Sequence, residues 1–280
     1  MPDSIRLDAR SATACDMTVW GDRVQLAWTG RDYRLRLGST FGLTPLEGER
    51  KLRYTSYRER STSDSSPMNT TVMPPSVAGA GDRLLLAWTA SNWSVWLVAA
   101  DPSSDFHAIP VKERSWLPSV VVPVGGDRSI LSWIGTDRRI NLLELKGERP
   151  ERSIRLDNAK SDHRPAVCRH GHGLTVAWTG GDRRVNVLGV ESGRLGRQDI
   201  LRDAKTGAEP AISSHDGRLY LAWTGGDRRV NLLCLDDGGR PVRLDDVKSD
   251  HGPSLCSYQG DLLLAWTGSD GRVNLRRLTG

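Results

Sequence analysis

No stretch of this 280-residue sequence approaches the about eighteen consecutive apolar residues of a membrane-spanning helix. A membrane span is therefore excluded on this pattern. The opening, Met1-Pro2-Asp3-Ser4, carries neither the basic region nor the apolar run of a secretory signal, so a cytoplasmic protein is expected. Cysteine is scarce. Cys15, Cys168, Cys234 and Cys256 lie far apart in no metal-type spacing, which fits reduced thiols better than a disulfide framework. Apolar residues at helical spacing never run long enough for a helical solenoid. What the chain does have is the balance of a soluble globular protein, 38% hydrophobic with 26% charged residues. At this length it can hide roughly three quarters of its unfolded surface, so it needs no disulfide or metal to fold. Its net charge of +5 is a mild bias toward anionic partners, spread too evenly to imply nucleic acid.

The sequence repeats itself. Leu221-Ala222-Trp223-Thr224-Gly225-Gly226-Asp227-Arg228-Arg229-Val230-Asn231 recurs around Trp28, Trp88, Trp133, Trp178 and Trp266, at successive Trp spacings of 60, 45, 45, 45 and 43 residues. Units of that size cannot bury their own apolar faces and must stack on one another. Within one unit, Pro165–Cys168, Leu174–Trp178, Arg184–Leu188 and Asp199–Leu201 read as four strands, a to d, punctuated by glycine and aspartate. Thr179-Gly180-Gly181-Asp182-Arg183 supplies a b-to-c hairpin turn. Four strands at this period predict an all-β, six-bladed β-propeller with four antiparallel strands per blade. The last unit ends after its third strand at Val273–Leu278, while Ser4-Ile5-Arg6-Leu7-Asp8 matches the fourth-strand segment Ser153–Asp157. Residues 4–8 should therefore complete blade 6, making residues 1–280 one closed domain and protecting two strand edges that would otherwise be exposed.

The Trp-Thr-Gly-x-Asp run resembles the repeats of bacterial six-bladed propellers and, more distantly, the Asp-box turn of sialidase-like propellers, as in Thr267-Gly268-Ser269-Asp270-Gly271-Arg272-Val273. The resemblance implies fold more than function, and it implies turn-stabilising roles for Asp32, Asp137, Asp182, Asp227 and Asp270. Sialidase chemistry would need an arginine cluster and a tyrosine nucleophile at the channel. Tyr220 lies in a core strand and no other tyrosine takes that place, so this activity is not expected.

The loops entering strand a converge on the mouth of the central channel in such a fold. Aligned on the residue opening strand a (Cys15, Pro75, Pro118, Pro165, Pro210, Pro253), the rim is uneven. Blades 4 and 6 bring Lys160, Asp162, His163 and Lys248, Asp250, His251; blade 5 between them brings Lys205 with Gly207 and Ala208; blade 1 brings Arg10. Blades 2 and 3 bring Met73 and Trp116, and the b-to-c turn of blade 2 carries Trp93 in place of arginine. The 15 extra residues of the first interval fall mainly in Arg58–Met73, a candidate lid or a plain surface loop.

An apolar wall facing a few convergent polar groups is pocket chemistry. The leading reading is binding of a small amphipathic or glycan-like ligand at the channel mouth, between Met73, Trp93 and Trp116 and an arc of Arg10, Lys160, Lys205, Lys248, Asp162, His163, Asp250 and His251. The rival is an enzyme of lyase, cyclase or hydrolase type acting there on an amphipathic substrate with an anionic head such as a diphosphate. His163 or His251 would be its acid or base, with Asp162 or Asp250 as partner or as a metal ligand. A protein-interaction scaffold is the third. Two His and two Asp on non-neighbouring blades lack compact ligand spacing, so a divalent metal is not favoured. Blades 4 to 6 carry no aromatic platform beside their cations, so nucleic acid is not the expected partner. The repeated tryptophans are core by position.

Overall fold

In the computed structural model, residues 4–40, 53–56, 71–100 and 106–278 are described. Every regular element among them is a strand. Each blade is an antiparallel sheet, and in the first five the strands follow chain order from the channel outward. Blade 1 holds β2 (Asp16–Trp20), β3 (Arg23–Thr29), β4 (Leu35–Thr40) and β5 (Arg53–Ser56); blade 2 holds β6 (Ser76–Ala80), β7 (Arg83–Thr89), β8 (Val95–Ala100) and β9 (His107–Ile109). Blade 3 is β10 (Val120–Gly125), β11 (Arg128–Ile134), β12 (Arg139–Lys146) and β13 (Arg149–Lys160); blade 4 is β14 (Ala166–His170), β15 (Gly173–Thr179), β16 (Arg184–Glu191) and β17 (Arg194–Lys205). Blade 5 is β18 (Ala211–His215), β19 (Arg218–Thr224), β20 (Arg229–Cys234) and β21 (Val242–Lys248). Blade 6 is β22 (Ser254–Tyr258), β23 (Asp261–Thr267), β24 (Arg272–Leu278) and, outermost, β1 (Ser4–Arg10), which pairs with β24 through Ser4–Arg276 and Arg6–Asn274. The closing strand thus joins the two ends of the chain and runs two residues beyond the five-residue match.

The core lies between blades, because each sheet is apolar on both faces and each blade wall is covered by the next. Trp88 packs with Ala27 and Leu35 of blade 1, and Trp28 with Leu7, Ala9 and Val273 of blade 6. All six repeated tryptophans are buried. Trp96, which replaces the repeated Asn in blade 2, stacks on Trp88 at 6.0 Å between ring centroids. It is packing. Threonine at the end of strand b crosslinks every blade but the third to the loop that leads into the next: Thr29, Thr89, Thr179, Thr224 and Thr267 donate their hydroxyls to the carbonyls of Met73, Leu117, Ala208, His251 and Thr13 at 2.7–2.9 Å. Of the Arg58–Met73 insertion, only Thr71, Val72 and Met73 fall within the described residues.

Blade 3 shifts the alignment used above. Val120 pairs with Ser132 as Ala166 pairs with Ala177, so Ser119, not Pro118, stands where the other blades have the strand-opening proline. The extra residue of blade 3 is taken up in its a-to-b hairpin, where the register breaks between Pro123 and Gly125. Trp116 therefore matches Asp162 rather than His163, Leu117 matches His163, and Arg114 matches Lys160.

Candidate functional site: the blade clefts on the loop face

Each b-to-c turn is built by an aspartate or asparagine whose side chain accepts the N–H two residues on, as in Asp182 with Arg184 at 3.0 Å and Asn92 with Ser94 at 3.1 Å. The residue between adopts a left-handed backbone: φ is 60° at Tyr33, 66° at Trp93, 67° at Arg138, 63° at Arg183, 66° at Arg228 and 77° at Gly271. Such a φ is costly for any residue with a Cβ, and the aspartate cap offsets that cost. The carbonyl of this residue then accepts the N–H of the serine or threonine that opens the next d-to-a loop: Tyr33 from Thr71, Trp93 from Ser115, Arg138 from Ser161, Arg183 from Thr206, Arg228 from Ser249 and Gly271 from Ser11, at 2.8–3.0 Å. That serine or threonine caps its own loop. Ser161 Oγ accepts the N–H of His163 at 3.0 Å and donates to the Thr179 carbonyl, and Ser115 Oγ does the same for Leu117 and Ile134.

One backbone frame is thus repeated in six clefts between neighbouring blades, and each cleft has two display positions: the turn residue and the first residue after the loop serine or threonine. Cleft 1/2 presents Tyr33 and Val72, 53% and 62% exposed. Cleft 2/3 presents Trp93 and Trp116, 45% and 55% exposed, stacked at 4.8 Å with an interplanar angle of 4°. In cleft 3/4 Arg138 pairs with Asp162. In cleft 5/6 Arg228 grips Asp250 with two nitrogens at 2.5 and 2.6 Å. Cleft 4/5 presents Arg183 opposite Gly207, and cleft 6/1 presents Gly271 and Ala12. The aromatic and acidic side chains expected to face each other across one channel mouth are instead distributed over separate clefts, Trp93 and Trp116 in cleft 2/3, Asp162 in cleft 3/4 and Asp250 in cleft 5/6. Val72 stands at the rim position where the repeat alignment puts an apolar residue in place of aspartate, whereas Tyr33 has no place among the expected site residues, although the same alignment sets it beside Asp32 where the later blades carry arginine.

The turn carboxylates are electrostatically satisfied. The Arg139 N–H and guanidinium hold Asp137 below the usual carboxylate range; the Arg184 guanidinium and N–H do the same for Asp182. Asp162 and Asp250 are engaged by arginines, and among the described residues neither imidazole, His163 or His251, has a hydrogen-bonding partner. The His–Asp couples expected as acid–base pairs do not form; the carbonyls of His163 and His251 serve the loop caps instead. Lys160, Lys205, Lys248 and Arg10 end their d strands on this face and are all exposed. Arg114 joins them in the corrected register, its guanidinium 3.4 Å from the Asn92 carbonyl.

The channel itself is a cavity of about 290 Å³ lined by strand-a residues, among them Val19, Val77, Val121, Val167, Ile212 and Leu255. None of the rim residues named from the sequence lines it. At its loop end Arg164, 5% exposed, reaches from blade 4 across to the Pro75 carbonyl at 3.0 Å and to within 4.0 Å of Asp16. Asp16 in turn accepts hydrogen bonds from Ser76, Ser254 and the Val77 N–H. Arg164 was missed because it sits in the repeat at a position occupied by alanine, proline, glutamate and glycine elsewhere. Burial pushes the Cys15, Cys168 and Cys256 thiols up to about 12, which makes them inert. Among the described residues no three His, Cys, Asp or Glu side chains gather in a group that could hold a metal. No helix among them is long and apolar enough to cross a membrane.

No family model matches the chain, and no curated protein sequence does. Solved structures do match it. AofleA from Arthrobotrys oligospora, solved as a triple arginine-to-alanine mutant, superposes with a TM-score of 0.71 at 11% identity over 99% of this chain and 86% of that one. The Aleuria aurantia lectin in complex with alpha-methyl-L-fucoside gives 0.65 at 11% identity over 98% and 93%. Trypanosoma rangeli sialidase in complex with the inhibitor DANA gives 0.62 at 10% identity over 100% of this chain and 60% of that one. At these identities the likeness is one of fold, the six-bladed β-propeller.

Proposed function

We propose that this propeller binds glycans on the loop face, with its principal aromatic site in cleft 2/3. The observation that carries the reading is the Trp93–Trp116 stack: two indoles held parallel, each with an outer face left to solvent. An exposed apolar pair of this size is unusual on a monomer surface without a ligand to cover it. The apolar face of a pyranose ring stacks on such an indole, while Arg114 at the cleft edge offers charged donors to hydroxyls. Tyr33 and Val72 provide a second, smaller apolar site in the adjoining cleft. The Lys160–Asp162–His163 and Lys248–Asp250–His251 loops continue the same face with polar groups for the rest of an oligosaccharide. Lectins of the same fold, one of them crystallised with a fucoside, support this class of ligand.

A glycan array probed with the purified protein, followed by titration of alpha-methyl-L-fucoside and the best hits, tests the reading. Trp116→Ala is expected to weaken binding by about tenfold or more with no product formed from any ligand. Glycans bound equally well by Trp116→Ala and Trp93→Ala would remove the site; turnover lost in His163→Ala would replace it with the enzyme reading.

A further inference from the structure

We infer that the cleft between blades 4 and 5 binds the carboxylate of an acidic sugar, a hexuronate, in the place that a protein carboxylate fills in the clefts on either side. In clefts 3/4 and 5/6 the left-handed turn arginine closes on the loop aspartate, Arg138 on Asp162 and Arg228 on Asp250. Cleft 4/5 keeps the whole frame. Arg183 has the same φ of 63° and accepts the Thr206 N–H at 2.9 Å, and Thr179 still donates to the Ala208 carbonyl. Only the acid is gone, replaced by Gly207, beside which a Cβ would meet nothing within 4 Å.

A second carboxylate is lost at the same strand end. Strand register matches Arg202 to Asp157 in blade 3 and Asp245 in blade 5. The carboxylates of those aspartates stand 3.9 and 3.6 Å from Nε of Arg139 and Arg229, whereas the equivalent Arg184 Nε is buried and without a hydrogen-bond partner. Arg183, Arg202 and Lys205 therefore collect in one cleft, and among the described residues none of them has an ion-pair partner. Asp182 in the turn is held by Arg184, the Glu209 side chain of the loop lies against Gly252 of the next loop, and Asp203 is the one carboxylate on this strand end, so the cleft stays cationic. The neighbouring Arg228–Asp250 fork shows the geometry that a ligand carboxylate would adopt on Arg183.

The saccharide part of this inference rests on the glycan-binding reading; the anion part does not. Glucuronate and galacturonate, each against its neutral methyl ester, are titrated into the intact protein by calorimetry at low and physiological salt. The acids are expected to bind at least about tenfold more tightly than the esters, and more weakly as salt rises. Gly207→Asp should abolish that preference by supplying the missing carboxylate from within, and an unchanged melting temperature shows that it folds; Arg183→Gln should abolish it by removing the fork. Equal affinity for acid and ester, or an unaltered preference in Gly207→Asp, overturns the inference. Acetate competing as well as glucuronate overturns its sugar part. Trp116→Ala should leave uronate binding intact, so failure at cleft 2/3 and failure here are read separately.

Discussion

Clefts 2/3 and 5/6 share one backbone and opposite chemistry. In both, a left-handed turn residue accepts the N–H of a loop serine at 2.9 Å, yet one frame displays Trp93 against Trp116 and the other Arg228 against Asp250. The hydrogen-bonded frame is what stability requires, and the two displayed side chains are free to vary. Half-exposed ion pairs contribute little to folding. An exposed indole pair contributes little more, since both outer faces remain wet. The difference between the clefts is therefore one of what they can hold.

The sharpest way to break this comparison is to show that the frame and the display are not separable. Trp178→Ala, in the buried layer beneath the rim, is expected to cost about 3–5 kcal/mol in denaturant unfolding, whereas Trp116→Ala should change stability by less than about 1 kcal/mol. Equal costs would make Trp116 a core residue. Next in size, Thr179→Val removes the hydroxyl bond from blade 4 to the loop of blade 5 and should cost about 1 kcal/mol. Blade 3 carries Ile134 at that position, fully buried in the core, so Ile134→Thr should lower thermal stability, the lost apolar burial outweighing one added hydrogen bond.

Smaller still is the acid limb. Asp137, Asp182 and Asp227 have folded pKa values below the ordinary 3.8, because backbone N–H groups and arginines favour the charged form. Their contribution is present above that ordinary value and is lost as pH falls through the lower folded values. Melting temperature should decline below about pH 4, and Asp182→Asn should flatten the decline. The smallest effect belongs to the Arg228–Asp250 couple. A double-mutant cycle should return about 0.2–1 kcal/mol, shrinking with added salt. A salt-independent value well above that would mean the rim pairs hold the fold together.

Most of the architecture is legible in the sequence because a 45-residue period with strand alternation leaves few alternatives to a propeller, and because Ser4–Asp8 matches Ser153–Asp157. The clefts are less so. Pro118 is a strong marker one residue early, and the compensating residue hides in the Gly125–Gly126 hairpin, so Trp116 was matched with His163 rather than Asp162. The pairing of Asp162 with Arg138 depends on a left-handed φ that no local composition announces in a non-glycine residue. The buried crossing of Arg164 to blades 1 and 2 depends on closure of the whole ring. Side chains whose partners lie on another blade are where reading along the chain runs short.

The central claim is that the Trp93–Trp116 pair is a sugar platform. Tryptophan side-chain NMR during titration with the best array glycan tests it most directly. Saturable shifts of the Trp93 and Trp116 indole N–H signals, absent for the six buried repeat tryptophans and lost in Trp116→Ala, are the predicted result. Saturable glycan binding that leaves both signals unmoved would contradict it.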